Sequence, residues 1–289
     1  KGAGIQTVVS SVSGNSFQGN LDYRIENTST VSLGNSVLSN TTGMLHVKGK
    51  IQLGSSDPGG AIQLVNQGNI HIPGPRIFED GSIVEYNGTA MQWIGDGHPS
   101  GPGVTFIGDN PSEITLTRDV IADDFLVQQG TIWADLYSVS IHGDLNLQAG
   151  VVFQPALINM VGAQDQYVSG AGLTLKDLTL NKPGNSQVTL LSPLNIGGIL
   201  SVESENTRLN ADGFLTLISS SDAPGGTARV RSLPGGSSIS GEVTYQRYMS
   251  GEGRIYRYLS SPVENATVAS LQDDFPITGT CEDPCTGPG

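Results

Sequence analysis

Apolar and polar residues alternate along most of this chain with a period of two, and the 3.6-residue period of a helix is almost absent. Leu45, Val47, Ile51 and Leu53 alternate around Gly49. Val139, Ile141, Leu145 and Leu147 do so around Gly143, and Leu194, Ile196, Leu200 and Val202 around Gly198. All three stretches fit one template, h-x-h-x-Gly-x-h-x-h, with h apolar. In a strand, this pattern puts the apolar side chains on one face, and the central glycine marks a bend or bulge. The pattern predicts an all-β chain.

A longer repeat overlies the short one. At a shift of 74 residues, Gly88 and Gln92 fall on Gly162 and Gln166, and Trp93-Ile94 on Tyr167-Val168. The same shift takes Ile114-Thr115-Leu116 to Val188-Thr189-Leu190. It then takes Val120, Ala122, Phe125 and Leu126 to Leu194, Ile196, Ile199 and Leu200. Strand–turn units with one apolar face cannot bury that face singly, and stacking them closes a continuous core. We expect a right-handed parallel β-helix, with 74 residues making about three turns of roughly 20–25 residues each. Tandem β-sandwich modules are the alternative, but short, varied turns favour the solenoid over Greek-key connections.

The pattern changes after about residue 222, where Ser219 to Gly226 reads as a boundary loop. Beyond it lie five of the nine arginines and four of the eight tyrosines. Residues 1–222 are thus expected to form the solenoid, and residues 223–289 a small C-terminal antiparallel β module and tail that covers the last turn. Within that module Arg247, Tyr248, Tyr256 and Arg257 make either a cross-strand ladder or a ligand face, the ladder being favoured. At the other end, Ile5, Thr7, Val8 and Val9 belong to an uncharged, β-prone segment within residues 1–14. It reads as the first strand of its own solenoid or as a strand exchanged with the edge of a neighbouring subunit.

Composition narrows the function classes. Only 14% of the residues are charged, against about 25% in ordinary soluble proteins. The formal net charge is −13, which disfavours a nucleic-acid surface and adhesion to anionic lipid. No apolar run reaches the length of a membrane span. The two cysteines, Cys281 and Cys285, read as a small disulfide loop in an oxidising compartment. The other reading is half of a zinc site, for which two more ligands would be needed. The tail from Thr286 to Gly289 reads as a linker, so the natural protein is expected to continue.

Candidate chemistry is sparse. Glycoside hydrolysis needs convergent carboxylates. Asp123-Asp124 is the best pair, and His98 of Gly95-Asp96-Gly97-His98 supplies a nearby histidine in sequence. The repeat maps that pair on Gly197-Gly198, which makes a turn role the stronger reading. His46, His71 and His142 fall at outward positions. There is no Gly-x-Ser-x-Gly elbow and no phosphate loop, and no cofactor or metal site is expected.

Two segments carry a resemblance. Gly162-Ala-Gln-Asp-Gln-Tyr-Val-Ser-Gly170, with Leu178-Thr-Leu-Asn-Lys182 and Val188-Thr-Leu190, resembles the cadence of large surface proteins of Bacteroidetes. Residues 226–248, ending in Arg254-Ile-Tyr-Arg-Tyr-Leu-Ser-Ser-Pro-Val263, resemble the module that follows β-helical repeats in the same proteins, often exported by type IX secretion. The resemblance implies an extracellular or cell-surface location and hands over no catalytic residues. The expected function is a non-enzymatic structural or adhesive protein, either a surface stalk within a larger protein or a self-associating fibre subunit. A polysaccharide-active β-helix, or a carbohydrate-binding module with a glycan partner, is the alternative.

Overall fold

The computed structural model describes residues 22–39, 42–65, 67–170, 172–221 and 226–248, and the backbone alone of residues 4–7. Among these residues there is no helix, and the strands stack in parallel as a β-solenoid of about 9 turns. Pairs such as Phe106 with Phe125, Leu145 with Val168 and Val188 with Leu209 set the ordinary turn at 19–23 residues.

Each regular turn visits three sheets in a fixed order. The first face runs through Gly4–Thr7, Ser29–Ser32, Lys50–Leu53, Ser82–Tyr86 and the starts of Val104–Thr115 and Phe125–Ile141. It continues through Leu145–Leu147, Gln166–Gly170, Gln187–Leu190, Arg208–Asn210 and Ser238–Ser240. The second face takes Gln92–Trp93, the end of Val104–Thr115, the middle of Phe125–Ile141 and the start of Val152–Met160. It ends with Leu173–Leu175, Leu194–Ile196, Leu215–Leu217 and Val243–Tyr245. The third face has Tyr23–Ile25, Leu45–Val47 and Arg76–Phe78. Further along it has Val120–Ala122, the ends of the two long strands, Leu178–Leu180, Ile199–Val202 and Arg229–Val230.

The alternation seen in the sequence turns one set of side chains inward on all three faces. Val139, Ile141, Leu145, Leu194, Ile196 and Leu200 are each at most 1% exposed. Aromatic rings fill the middle of the rod. Phe106 and Phe125 stack at 4.4 Å between centroids, flanked by Tyr86 and Phe153. Such a contact adds about 0.5–1.5 kcal/mol beyond the area it buries.

The template glycines sit at corners rather than within strands. Gly49 and Gly143 lie between the third and first faces, and Gly198 between the second and third. The 74-residue repeat is real as local structure: Gln92 pairs with Ile114 as Gln166 pairs with Val188. It is not a whole number of turns, however. Three turns from Phe106 end at Val168, and a 74-residue step carries a second-face strand to the first face. What repeats is the strand with its corner, because all three faces impose the same inward–outward alternation.

The C-terminal expectation also changes. Arg229–Val230, Ser238–Ser240 and Val243–Tyr245 continue the three parallel ladders past residue 222, so the solenoid reaches at least Tyr245. No antiparallel module appears in residues 226–248. At the suspected boundary loop, Ser219 meets Thr227 in an antiparallel bridge, and residues 222–225 lie outside the described residues. Alternating apolar residues such as Val230, Ile239 and Val243 fit a solenoid strand as well as a hairpin, and the register alone distinguishes them. A compact unit ends at Met249, and residues 249–289 lie outside the described residues.

Polar side chains line the corner between the first and second faces. Asn69, Gln92 and Asn110 are wholly buried. Asn69 donates to Gly34 O at 2.8 Å and Ser36 O at 2.7 Å and accepts from Ser55 N. Gln92 donates to Leu53 O and Ser55 O and accepts from Gly88 N and from Asn110 Nδ2. Asn110 also donates to Ala90 O. Each amide satisfies backbone groups that the corner turns away from the ladders. Gln92→Ala leaves Leu53 O and Gly88 N without these partners and is expected to cost about 2–4 kcal/mol. Exposed Gln128→Ala should stay within about 0.5 kcal/mol of wild type, and urea denaturation of the two variants measures the difference.

Candidate functional site

The ionisable residues are where a catalytic reading has to be tested. Asp123 and Asp124 form the corner between the third and first faces, with Val120–Ala122 before them and Phe125 after. Asp124 Oδ1 accepts a hydrogen bond from Asp144 N, one turn on, at 2.7 Å. Burial raises Asp123 above the usual carboxylate range, and the charge of Asp124 adds to the shift.

The same device recurs along the rod. Asp144 accepts from Tyr167 N, Asp165 from Gln187 N, Asp177 from Ile199 N and Asp119 from Ser138 N, each at 2.6–2.8 Å. An aspartate is short enough to reach the backbone N–H one turn away without disturbing the ladder. These carboxylates are structural caps that join successive turns. Their placement also explains two glycines of the template: a Cβ on Gly143 would overlap Asp124 Oδ1, and one on Gly198 would overlap Asp177 Oδ1.

His98 is not brought to the carboxylates. It is 3% exposed, its Nδ1 is 2.7 Å from Tyr86 Oη, and its ring packs on Tyr86 and Phe106. Burial pushes it down to about 3, so it stays neutral within the core near pH 7. His46, His71 and His142 are half-exposed, as their outward positions imply. His46 and Lys48 both bind Glu79, which holds Glu79 below the usual carboxylate range. Lys50 binds the buried Glu85.

Lys182 is wholly buried and plugs a corner of the rod. Its Nζ donates to Gly162 O and Gln164 O, both at 2.8 Å, and to Gln166 Oε1. The sequence offered Lys182 only as part of a surface-protein cadence. Its burial was not legible, because the carbonyls that receive it lie on the preceding turn.

Two open grooves offer room for a ligand. One, of about 300 Å³, runs between Leu64, Pro73, Phe78 and Pro99; Arg76 beside it is already held by Ile72 O and Gln63 O. The other, of about 310 Å³, is lined by Thr28, Thr30, Lys48, Lys50 and Asp80. Neither brings two carboxylates together with a histidine. Among the described residues, no group of three or more His, Cys, Asp or Glu side chains is placed to hold a metal. Among these residues, too, no helix is long and apolar enough to cross a membrane.

The sequence-predicted surfaces are only partly described. The backbone of Gly4–Thr7, which includes Ile5 and Thr7, pairs in parallel with Ser29–Ser32 as the first strand of its own solenoid. Val8 and Val9 lie outside the described residues. Arg247 and Tyr248 are exposed, and Tyr248 N donates to Ser219 Oγ at 2.9 Å. Tyr256, Arg257, Cys281 and Cys285 lie outside the described residues, so the ladder face and the disulfide gain no geometry.

No protein-family model, curated protein or solved structure matches the chain.

Two outcomes follow from the corner chemistry. Asp124→Ala and Gly143→Ala are each expected to destabilise the fold by about 1–3 kcal/mol. Combined, they should cost less than their sum, because removing the carboxylate makes room for the new methyl; a double-mutant cycle in urea reads that coupling. Lys182 supplies a pH test. Burial lowers it from 10.5 to about 8, so the unfolded chain binds its proton more tightly than the folded one. Its contribution is therefore present above 10.5 and lost as pH falls through about 8. The urea midpoint should rise from about pH 7 to 9, and Lys182→Met should flatten that rise. The window stays below the titration of unfolded tyrosine near pH 10, where the raised value of buried Tyr86 acts in the opposite sense.

Proposed function

We propose that the protein is a non-enzymatic extracellular structural or adhesive element: a rigid stalk within a larger surface protein, or a fibre subunit. The observation that carries this reading is how its ionisable groups are used. The Asp123-Asp124 pair caps the next turn, His98 is buried against Tyr86, and Lys182 is consumed by corner carbonyls. Acid–base catalysis needs carboxylates converging on a cleft. Asp123, Asp124 and Asp144 do gather at one corner near His142, but Asp124 and Asp144 each accept a backbone N–H of the next turn, and neither groove is lined by the Asp123-Asp124 pair.

Hydrogen bonds between turns run along the rod axis. About 9 turns rising about 4.8 Å each give roughly 45 Å of rod. That is a spacer's geometry, and it suits the surface location that the resemblance implies. The fibre variant draws on the ends. Gly4–Thr7 at one end, and Ser238–Ser240 and Val243–Tyr245 at the other, each have one ladder partner among the described residues. Such edges are parallel and of like polarity, which suits head-to-tail addition.

Negative-stain microscopy of the purified chain should show single short rods for a stalk and unbranched filaments for a fibre subunit. Compact particles without a long axis would refute both. In parallel, incubation with a panel of plant, algal and bacterial polysaccharides should release no reducing ends and no unsaturated uronates. Sustained release of either would replace this reading with the enzymatic one.

A further inference from the structure

The chain contains two tryptophans, and the fold sets both in one outward column. On the second face Trp93 pairs with Thr115, Thr115 with Trp133 and Trp133 with Gln154. The neighbours of each ring along its own strand point inward and are buried: Gln92 and Ile94 beside Trp93, Ile132 and Ala134 beside Trp133. The two indoles therefore sit on the outer surface, half-exposed, with one threonine between them. Two rungs at about 4.8 Å each place them about 10 Å apart along the rod axis.

The surroundings narrow what this surface suits. Farther along the same face, the outward column continues with Thr174, Asn195, Thr216 and Thr244 in register. No charged side chain occurs in either stretch of this column, although the chain carries −13 overall. In the neighbouring outward column Glu113, Thr131 and Val152 are in register and supply a carboxylate and a hydroxyl beside the rings. A single outward tryptophan is an ordinary strand residue. A pair in one column, with no tryptophan anywhere else, calls for a ligand with a matching repeat.

We propose that this column is a binding platform for a neutral, extended β-1,4-linked polysaccharide lying along the rod. The C–H face of a pyranose ring is apolar and weakly positive, and it stacks on the negative face of an indole. In an extended β-1,4 chain alternate sugars present the same face, and their separation matches the two-rung spacing of Trp93 and Trp133. The intervening sugar lies over Thr115. Ring hydroxyls at the rim meet Thr115, Thr131 and Gln154. Glu113 in the neighbouring column disfavours an anionic polysaccharide, and no residue of the column itself offers it a cation. The proposal goes beyond the structural reading above, and rod or filament shape under the microscope does not depend on it.

Affinity electrophoresis of the whole chain in gels containing hydroxyethylcellulose, glycol chitin or β-1,4-mannan tests it, with an α-glucan, a β-1,3-glucan and polygalacturonate as controls. At least one neutral β-1,4 polymer should retard the protein, and the controls should not. Trp93→Ala and Trp133→Ala should each weaken binding about tenfold or more, equivalent to about 1.4 kcal/mol. Thr115→Glu keeps both rings and the buried residues and should weaken binding comparably, which guards against loss of fold as the cause. Because there are only two tryptophans, intrinsic fluorescence of the unmodified protein reports on this platform alone. A β-1,4 tetrasaccharide should protect it from acrylamide quenching at about one-tenth the concentration a disaccharide needs, since only the longer chain spans both rings. The proposal is overturned if the folded protein is retarded by none of the β-1,4 polymers. It is equally overturned if retardation survives Thr115→Glu together with both tryptophan substitutions, or if disaccharide and tetrasaccharide protect equally.

Discussion

Stacking parallel strands into a rod satisfies the backbone along the faces and leaves it unsatisfied at the corners. At every corner the chain turns out of the ladder, and an N–H or C=O loses its regular partner. The solution here is side chains of defined length. Buried amides, Asn69, Gln92, Asn110 and Gln166, serve corners facing the core. Aspartates serve those nearer solvent, and Lys182 fills one where several carbonyls converge. The outcome is nearly complete satisfaction: among the described residues, Ser82 Oγ is the one buried side-chain polar atom without a partner.

That requirement accounts for much of the composition. Several aspartates have fixed positions, each one turn from the N–H it caps. The glycines that follow one turn later are there because a capping carboxylate occupies the space of their Cβ. The faces themselves have no comparable need for charge. Thr, Ser and Asn suffice for outward strand positions, as in the column from Thr174 to Thr244. An acidic chain with few charges is what results when carboxylates work at corners and hydroxyls cover the faces.

The sequence revealed the strands, their inward sides and the parallel stacking, because these depend on residues two apart. It revealed the corner glycines as points of bending. It also placed Asp123-Asp124 correctly at a turn, since the repeat laid that pair on Gly197-Gly198. Relations across one turn were harder to read. The link from Asp124 to Asp144 N, or from Lys182 to Gly162 O, depends on the length of each turn. Turn length varies from 19 residues to the 33 that separate Lys50 from Ile83. For the same reason the 74-residue repeat looked like whole turns, and the tryptophan column became visible only with the register. The region after residue 222 misled because its arginines and tyrosines mark a change in surface, while its apolar alternation continues the stack.

The long turn between Lys50 and Ile83 has a mechanical side. Among its excess residues Ile62 meets Gly68 in an antiparallel bridge, where the second face would otherwise stack directly. On the third face, among the described residues, no strand lies between Arg76–Phe78 and Val120–Ala122. Through this level, among the described residues, only the first face, from Lys50–Leu53 to Ser82–Tyr86 and on to Val104, is an unbroken parallel ladder. A rod braced on three sides resists bending in every direction, and one braced on a single side yields more easily toward or away from it. Bending compliance is therefore concentrated about one third of the way along the chain, and the turns from Val104 to Val202 form the stiffer shaft.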